Sequence, residues 1–373
     1  MKSVIFRTAL SLLFTSAIAI GISAQTEIHE ENTRAIEFPD IPGYVTLKCD
    51  LHMHTVLSDG SVWADIRVQE ALRDGLDAIS ITDHIEYQPH QKDIPHPDRN
   101  RSYELALKAA KGTDLLIIPG TEITRSMPPG HFNAIFVKDV NKLNQKDVME
   151  VFREAKNQGA FVFWNHPHWT AQRPDGVATL TDMHHELLKE GLFTGIELYN
   201  DNTYSKEGFE LAEQYELTLI GNSDVHGLVD WSYNVPEGGH RPVTLVFATE
   251  KSEEAMQKAM EQRQTAVWFK NTLVGNPDFL SPMLEESLEI TRTGKGPVPS
   301  LKIHNFSDAD LILENISDYT LHNFAPVFVL KAHETTRVMV KTVETLDSFE
   351  MKFRVLNAYS GPDTHPEIQF TVE

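Results

Sequence analysis

Two histidines and an aspartate follow the first extended segment of the sequence. His52 and His54 are separated by one residue, and Asp59 comes next in the same loop. Because side chains alternate along a strand, the two imidazoles project to the same side, about 7 Å apart. Imidazole and carboxylate groups are typical ligands of transition metals. An isolated His-x-His is more often a pair of surface histidines, so the interpretation depends on further ligands elsewhere.

Further candidate ligands follow along the chain, most of them where an extended segment ends. They are His84, Glu122, His131, His166, Asp224 and His226. In βα barrels the carboxyl ends of the strands form one rim, so these side chains are expected to converge. The set is too large for one tetrahedral ion, and a carboxylate such as Glu122 can bridge two. The sequence therefore predicts a multinuclear centre of Zn²⁺, Mn²⁺ or Fe²⁺.

The segment that carries these ligands alternates strand and helix patterns. Residues 44–270 read as repeated βα units, which predicts a largely parallel sheet with helices outside it. Ser61 is the predicted N-cap of the first helix, and Gly75 marks its end. About seven strands favour a closed or nearly closed barrel. We assign the α/β barrel domain to residues 40–285.

The remaining residues, 286–373, have a different pattern. Gly294-Lys295-Gly296-Pro297 interrupts the chain, and alternating apolar runs such as Val327–Leu330 and Met351–Leu356 follow it. Helical periodicity is not evident between these runs. The pattern predicts a small antiparallel β-sandwich domain.

Residues 1–24 read as a signal peptide, with Lys2 and Arg7 before an apolar run and small residues up to Ala24. We expect an exported protein, periplasmic or secreted, with no membrane anchor after cleavage; the alternative is an uncleaved anchor. The net charge of −21 argues against nucleic acid as a partner. The only cysteine, Cys49, excludes an internal disulfide. The oligomeric state is left open.

The ordered set of motifs resembles the PHP (polymerase and histidinol phosphatase) family. The motifs are His-x-His…Asp, Thr-Asp-His, Gly-x-Glu, a histidine in an extended segment, Asn-His-Pro and Ser-Asp-x-His, and they cover roughly residues 45–250. The resemblance implies a distorted seven-stranded (β/α)7 barrel and two to three divalent metal ions.

The resemblance also implies a distribution of the ligands over three ions. His52, His54, Glu122 and Asp224 would hold the first ion. Glu122 would bridge to a second ion held with His131 and His166. Asp59, His84 and His226 would hold the third.

The chemistry implied is hydrolysis of a small-molecule phosphoester. Divalent ions lower the pKa of bound water to about 7, so that a metal-activated hydroxide attacks phosphorus without a protein nucleophile. Asp224 is the candidate proton acceptor, and His168 and Arg241 are candidate contacts for the phosphate. Phosphodiesters are narrowly favoured over monoesters, because long loops around the rim leave room for a second alcohol.

Two other functions remain open at this point. A metallohydrolase of carboxyl esters, amides or carbamates would use the same activated water on a carbonyl carbon. A binding protein stabilised by its metals would use the β-sandwich domain to dock a partner. Metal content together with turnover of a phosphoester separates these functions.

Overall fold

The computed structural model describes residues 34–373. The predicted signal peptide, residues 1–24, lies outside this range. No helix in the described range is long and apolar enough to cross a membrane.

The first domain contains strands and helices in alternation. Its strands are β1 (Val45–Asp50), β2 (Ala78–Ile79), β3 (Leu116–Ile117), β4 (Gly120–Thr124), β5 (His131–Ile135), β6 (Phe161–Trp164), β7 (Gly195–Asn200), β8 (Thr203–Tyr204), β9 (Thr218–Asn222), β10 (Val243–Ala248), β11 (Thr265–Phe269) and β12 (Thr272–Gly275). Its helices are α1 (Ala64–Arg73), α2 (Arg101–Ala109), α3 (Val148–Asn157), α4 (Asp182–Lys189), α5 (Lys206–Tyr215), α6 (Val229–Ser232), α7 (Glu253–Glu261) and α8 (Pro277–Glu286). Short 3₁₀ turns lie at Val140–Leu143 and Val235–Glu237.

The second domain consists of short strands. They are β13 (Leu288–Arg292), β14 (Ser300–Asn305), β15 (Leu311–Asn315), β16 (Thr320–Leu321), β17 (Val327–Leu330), β18 (Thr335–Lys341), β19 (Phe349–Val355), β20 (Ala358–Tyr359) and β21 (Glu367–Val372). Two four-stranded antiparallel sheets, β13-β14-β18-β16 and β17-β15-β19-β21, form the sandwich. In β19 alternate side chains from Phe349 to Val355 are buried, as a strand with one face in a core requires. The predicted sandwich is confirmed.

Two sheets together form the wall of the barrel. One has the order β20-β12-β11-β10-β1-β2-β3, and the other has β4-β5-β6-β7-β8 with β9 beside β7. They meet on one side through a bridge between His84 and Glu122. On the other side the Thr244 hydroxyl of β10 bonds to both the amide and the carbonyl of Gly221 in β9. The distorted barrel predicted from the sequence is confirmed.

Strand direction differs from the prediction of a largely parallel sheet. β1–β2–β3 and β6–β7–β9 are parallel, whereas β10–β1, β10–β11, β11–β12, β4–β5 and β5–β6 are antiparallel. The reversals at β4–β5 and β11–β12 are local, because short turns join these strands. The pairs β5–β6 and β10–β11 are antiparallel although the helices α3 and α7 connect them.

The first helix also differs in its start. α1 begins at Ala64 and buries Ala64, Val68 and Ala71, but Ser61 does not cap it. The Ser61 hydroxyl instead donates to the carbonyl oxygen of His226, 3.1 Å away. Ser61 therefore ties the start of the helix to the candidate metal site.

The two domains share one hydrophobic core. α8 buries Leu280, Met283 and Leu284 in a cluster that continues into the sandwich through Leu301 and Leu313. β20, from the second domain, pairs in parallel with β12 and so extends the barrel's sheet. The sandwich is therefore built onto the barrel, and the two cannot separate without exposing apolar surface.

Candidate metal centre

The His-x-His segment runs beside the Ser-Asp-x-His segment. The His54 amide donates to the carbonyl of Val225 at 3.1 Å, and the Asp224 amide donates to the carbonyl of His52 at 2.8 Å. This pairing brings Asp224 Oδ1 to 3.2 Å from His52 Nε2 and 3.0 Å from His54 Nε2. Both imidazoles are fully buried, so the predicted surface alternative is excluded.

Glu122 lies between two groups of histidines. Its Oε2 is 3.5 Å from His52 Nε2 and 3.3 Å from His54 Nε2. Its Oε1 is 2.6 Å from His131 Nδ1 and 3.8 Å from His166 Nε2. A carboxylate with one oxygen toward each group is placed to bridge two ions.

A third group surrounds Asp59. Its Oδ1 lies 3.4 Å from His84 Nε2 and 3.2 Å from His226 Nε2. His54 Nδ1 is 3.8 Å away and connects this group to the first. All nine predicted ligands are thus brought together at one end of the barrel.

Several buried atoms of the cluster lie close to one another but make no hydrogen bond of acceptable geometry among the described residues. They are His52 Nε2, His54 Nε2, both carboxylate oxygens of Glu122, and His131 Nδ1. Buried polar atoms in proteins are nearly always bonded, and leaving one unpaired costs about 1–3 kcal/mol. Divalent cations would satisfy these lone pairs, so the residues present fit a metal centre.

The donor atoms fall into compact sets in which all lie within 4.8 Å of one another. These sets are His54, Asp59, His84 and His226; His52, His54 and Glu122; and His84, Glu122 and His131. Imidazole and carboxylate donors with no thiolate suit borderline and hard divalent metals. The number of ions and their identity stay predictions.

Charge at the cluster also favours a cation. Burial opposes protonation of His84, but the carboxylates of Glu122 and Asp59 outweigh it and raise its pKa to about 11. Burial likewise opposes ionisation of Glu122, but His84 and His131 hold its pKa well below its usual range. The carboxylates therefore stay ionised and require a positive partner, either a proton on a histidine or a metal ion.

Glu197 on β7 orients two of the candidate ligands. Its Oε1 accepts hydrogen bonds from His52 Nδ1 at 2.8 Å and from the Asn222 amide at 2.9 Å. Its Oε2 accepts from the His166 backbone amide and from the Asn200 amide, both at 2.9 Å. The bond to Nδ1 directs Nε2 of His52 toward the cluster. A charged residue inside an otherwise apolar strand was the only sequence signal for this role.

Asp83 holds the loop between His54 and Asp59 in place. One carboxylate oxygen accepts from the Thr55 amide at 2.7 Å and from the Ser58 hydroxyl at 2.7 Å, and the other accepts from the Thr55 hydroxyl at 2.6 Å. Sequence reasoning did not assign Asp83 a role, although it lies next to a candidate ligand. Its position within Thr-Asp-His was the available signal.

Two candidate ligands have left-handed backbone conformations. His166 has φ of 29° and Asp224 has φ of 50°. Such conformations cost of order 1–3 kcal/mol for residues other than glycine. Both residues belong to the set of candidate ligands.

A cavity of about 510 Å³ opens over the cluster. His168 and Trp169 line it together with the candidate ligands Asp59, His84, Glu122, His131, His166, Asp224 and His226. Both ring nitrogens of His168 are buried without a partner among the described residues. The indole of Trp169 is 5.5 Å from the ring of His131 and is 44% exposed. His168 thus lines the cavity, and its contact with a substrate stays a prediction.

Arg241 requires a correction. Its guanidinium is fully buried, with Nη1 3.1 Å from Asp50 Oδ2 and Nη2 2.8 Å from Asp74 Oδ2, and it does not line the cavity. Burial opposes its charge, but the two carboxylates more than compensate and raise its pKa. The sequence indicates Arg241 as a candidate contact for the phosphate, with a surface position as the alternative. The structure instead places Arg241 in an ion-pair network that joins β1 to the end of α1.

Comparison with known families agrees with this architecture. Residues 50–267 match the PHP domain family, and residues 286–371 match an Ig-like domain family. The chain therefore belongs to the PHP domain family.

One of the similar solved structures is a two-domain protein. A protein of Bacteroides vulgatus ATCC 8482 that contains a predicted PHP-like metal-dependent phosphoesterase is 42% identical, with a TM-score of 0.85. The match covers 90% of this chain and 98% of that chain. PsfC from Pseudomonas syringae PB-5123 is 20% identical over 60% of this chain and 92% of that chain, with a TM-score of 0.42. No curated protein matches the chain.

Proposed function

We propose that this protein is a metal-dependent phosphoesterase of the PHP type that prefers phosphodiesters. The observation that carries the proposal is the set of buried, unpaired imidazole and carboxylate atoms at the floor of an open cavity. The two-domain relative, which contains a predicted PHP-like metal-dependent phosphoesterase, supports the reaction class. The substrate preference rests on the lining of the cavity.

The candidate ligands would hold two to three divalent ions, with Glu122 as the bridge. Bound ions supply a water of lowered pKa and neutralise charge on phosphoryl oxygens. Zinc, manganese and iron all suit these donors. The other contributions come from the chain's own side chains.

Asp224 is the proposed proton acceptor. It lines the cavity, and its Oδ2 accepts a hydrogen bond of 3.2 Å from the Asn200 amide. Asn200 is in turn held by Glu197, so the carboxylate has a defined orientation. A carboxylate at the cavity wall is within reach of a proton released near the cluster.

His168 is the proposed contact for the phosphate. Burial and the neighbouring His166 lower the pKa of His168, so its imidazole is neutral at neutral pH. A neutral imidazole carries one N–H donor for a phosphoryl oxygen.

The preference for a diester follows from charge. The cavity over the cluster is lined by acids, histidines and neutral residues such as Thr203 and Ser232, and no lysine or arginine is among them. Arg241, the predicted cation, is held by its own ion pairs. A monoester dianion would depend on the ions alone for neutralisation, whereas a diester brings one negative charge less.

We further propose that the protein acts after export, on a small-molecule substrate. The support is residues 1–24 of the sequence and the net charge of −21. An acidic protein repels polyanions such as nucleic acid.

The test compares kcat/KM for bis(p-nitrophenyl) phosphate, p-nitrophenyl phosphate and p-nitrophenyl acetate with the same metal loading. We expect the diester to exceed the monoester by at least about tenfold, after division by the uncatalysed rates. Preference for the monoester would overturn the diester proposal only. Turnover confined to the acetate would indicate a carbonyl hydrolase, and no metal-dependent turnover would indicate a binding protein.

A further inference from the structure

A second cavity, of about 710 Å³, lies between the barrel and the Ig-like domain. The barrel contributes the tip of the β11–β12 hairpin, Lys270 and Asn271, and the sandwich contributes Asp308 and Asp310. We call this the interdomain cavity. Its remaining wall includes Trp268, which stacks on a histidine ring 3.6 Å away.

The interdomain cavity adjoins the cavity over the metal cluster. Ser232 lines both. Lys270 Nζ lies 3.5 Å from the carbonyl oxygen of Asn202. Asp201 and Thr203, the chain neighbours of Asn202, line the cavity over the metal cluster. A ligand at the cluster that extends past this segment would enter the interdomain cavity.

The carboxylates of the interdomain cavity already have partners. Asp308 accepts from the imidazole of His333 at 2.8 Å and from the backbone amide of Glu37 at 2.9 Å. Asp310 pairs with the ammonium of Lys331 at 2.6 Å. Asp310 is therefore paired with a cation, and Asp308 has hydrogen-bond donors within the protein.

Lys270 has no such partner. No carboxylate among residues 34–373 lies within ion-pair distance of its ammonium, which instead lies 5.1 Å from the ring centre of Phe269. Arg34, which donates to the carbonyl of Gly239, is a second cation in the wall of the interdomain cavity. The two positive charges make this wall attractive to an anion.

The backbone at Lys270 is held in an unfavourable conformation. Lys270 has φ of 46° and Asn271 has φ of 61°, as a two-residue hairpin turn with both central residues left-handed requires. Asparagine and glycine tolerate this region, but lysine does not favour it. The turn places Lys270 in the wall of the interdomain cavity.

The Ig-like domain holds the turn in place. Asn357 donates through its side-chain amide to the carbonyl of Asn271 at 2.7 Å and to that of Asp310 at 2.8 Å. The Leu273 amide in β12 donates to the carbonyl of Asn357 at 3.0 Å. The sandwich thus positions the hairpin tip that carries Lys270.

From these observations we infer that the interdomain cavity is an anion subsite. It binds a carboxylate or phosphate carried by the second alcohol of the phosphodiester, with Lys270 and Arg34 as the cations and Asn202, Asn234 and Asn271 as polar neighbours. This inference rests on the proposed function and specifies its substrate class. The Ig-like domain becomes a determinant of specificity through its hold on the β11–β12 turn.

The test uses p-nitrophenyl phosphodiesters whose second alcohol is glycerol, glycerate or glycerol phosphate. These alcohols are neutral, carboxylate-bearing and phosphate-bearing. We expect the metal-loaded full-length protein to have a KM at least about tenfold lower for one anionic diester than for the glycerol diester. Which of the two anionic diesters is preferred distinguishes carboxylate from phosphate.

Variants at Lys270 test whether this residue causes the difference in KM between anionic and neutral diesters. Lys270→Gln removes one of the two positive charges and should bring the ratio of KM between neutral and anionic diesters closer to one, whereas Lys270→Arg should retain the ratio. Lys111→Gln is the matched control, because it removes one positive charge from an exposed position outside both cavities. A KM ratio near one in the unmodified protein, or one equally large in Lys270→Gln, overturns the subsite.

A binding measurement separates this inference from the proposed function. Calorimetric titration of the free alcohols should give Lys270-dependent affinity for glycerate or glycerol phosphate and not for glycerol. If this binding is found but no diester is hydrolysed, the proposed function fails and the subsite stands. If diesters are hydrolysed but neither KM nor affinity depends on Lys270, the subsite fails alone.

Discussion

The barrel and the Ig-like domain differ in whether their buried polar groups have hydrogen-bond partners. In residues 286–373 no buried side-chain nitrogen or oxygen lacks a hydrogen-bond partner. Asn305 is an example, because its amide donates to the carbonyl of Ala309 at 2.8 Å and its oxygen accepts from Ser307. In the barrel, His52, His54 and Glu122 are as deeply buried but have unpaired atoms that face one another.

The difference distinguishes polar side chains that stabilise the fold from polar side chains that are available to bind a ligand. A buried polar atom without a partner is destabilising, so a cluster of them indicates a ligand that completes the site. The buried polar groups of the sandwich already have hydrogen-bond partners within the protein, so they stabilise its fold.

The largest expected effect comes from removing the first two candidate ligands. His52→Ala with His54→Ala should abolish bound metal and reduce phosphoester hydrolysis by at least about 1000-fold, because the cluster loses two buried imidazoles. Elemental analysis and kcat/KM are the measurements. His322→Ala, an exposed histidine of the sandwich, is the control and should change neither. Active protein with one ion or none would contradict the multinuclear centre.

The next largest effect is expected at Glu197. The experiment tests whether this residue orients the metal ligands or only stabilises the fold. Its two oxygens accept four hydrogen bonds, and Glu197→Gln would replace one acceptor by a donor facing other donors. We expect metal affinity or activity to fall by about 10–100-fold. Competition with a chelator measures the affinity. Glu289→Gln, on the exposed face of β13, is the matched control. Loss of stability with unchanged metal affinity would place Glu197 among the stabilising groups.

A smaller effect is expected at the junction of the two domains. Asn357→Ala removes side-chain bonds to the carbonyls of Asn271 and Asp310 and to the amide of Ile312. We expect the free energy of unfolding to fall by about 2–3 kcal/mol, with both domains unfolding in one transition because they share a core. Chemical denaturation followed by tryptophan fluorescence and circular dichroism checks this. Two separate transitions would show that the domains are energetically independent.

The smallest effect concerns pH. Burial opposes protonation of His84, but Glu122 and Asp59 raise its pKa to about 11, so its stabilising charge is fully present below about 6.5 and is lost progressively as pH rises toward 11. Hydrogen bonds from His226 and His84 overcome the burial of Asp59 and hold its pKa well below its usual range, so its contribution is present above about pH 4. Metal-stripped protein thus loses stability above about pH 6.5.

Metal binding has the opposite dependence, because protons compete for the imidazoles. We expect the difference in Tm between metal-loaded and metal-stripped protein to widen by a few degrees from about pH 5 to about pH 8. Scanning calorimetry measures it, with the His52→Ala, His54→Ala double variant as the control that lacks the difference. A gap that narrows over this range would contradict the assignment of these groups as metal ligands.

The sequence by itself determined the class of fold and the candidate ligands. Strand parity put His52 and His54 on one side, and the alternation of strands and helices placed the other candidate ligands near strand ends. Both are local properties, since they depend on residues within one strand or one βα unit. The change of pattern near residue 286 likewise located the sandwich from local alternation alone.

Only the tertiary structure decided which charged groups face the cluster. Glu197 lies 145 residues from His52 and could have pointed either way, whereas Arg241 lies 191 residues from the Asp50 that holds it away from the cavity. It also decided the direction of the barrel strands and the cavity that the sandwich forms with the β11–β12 turn. The physical reason is that a buried charge takes the partner that reaches it in space, and partners brought together by folding leave no periodic signal in the sequence.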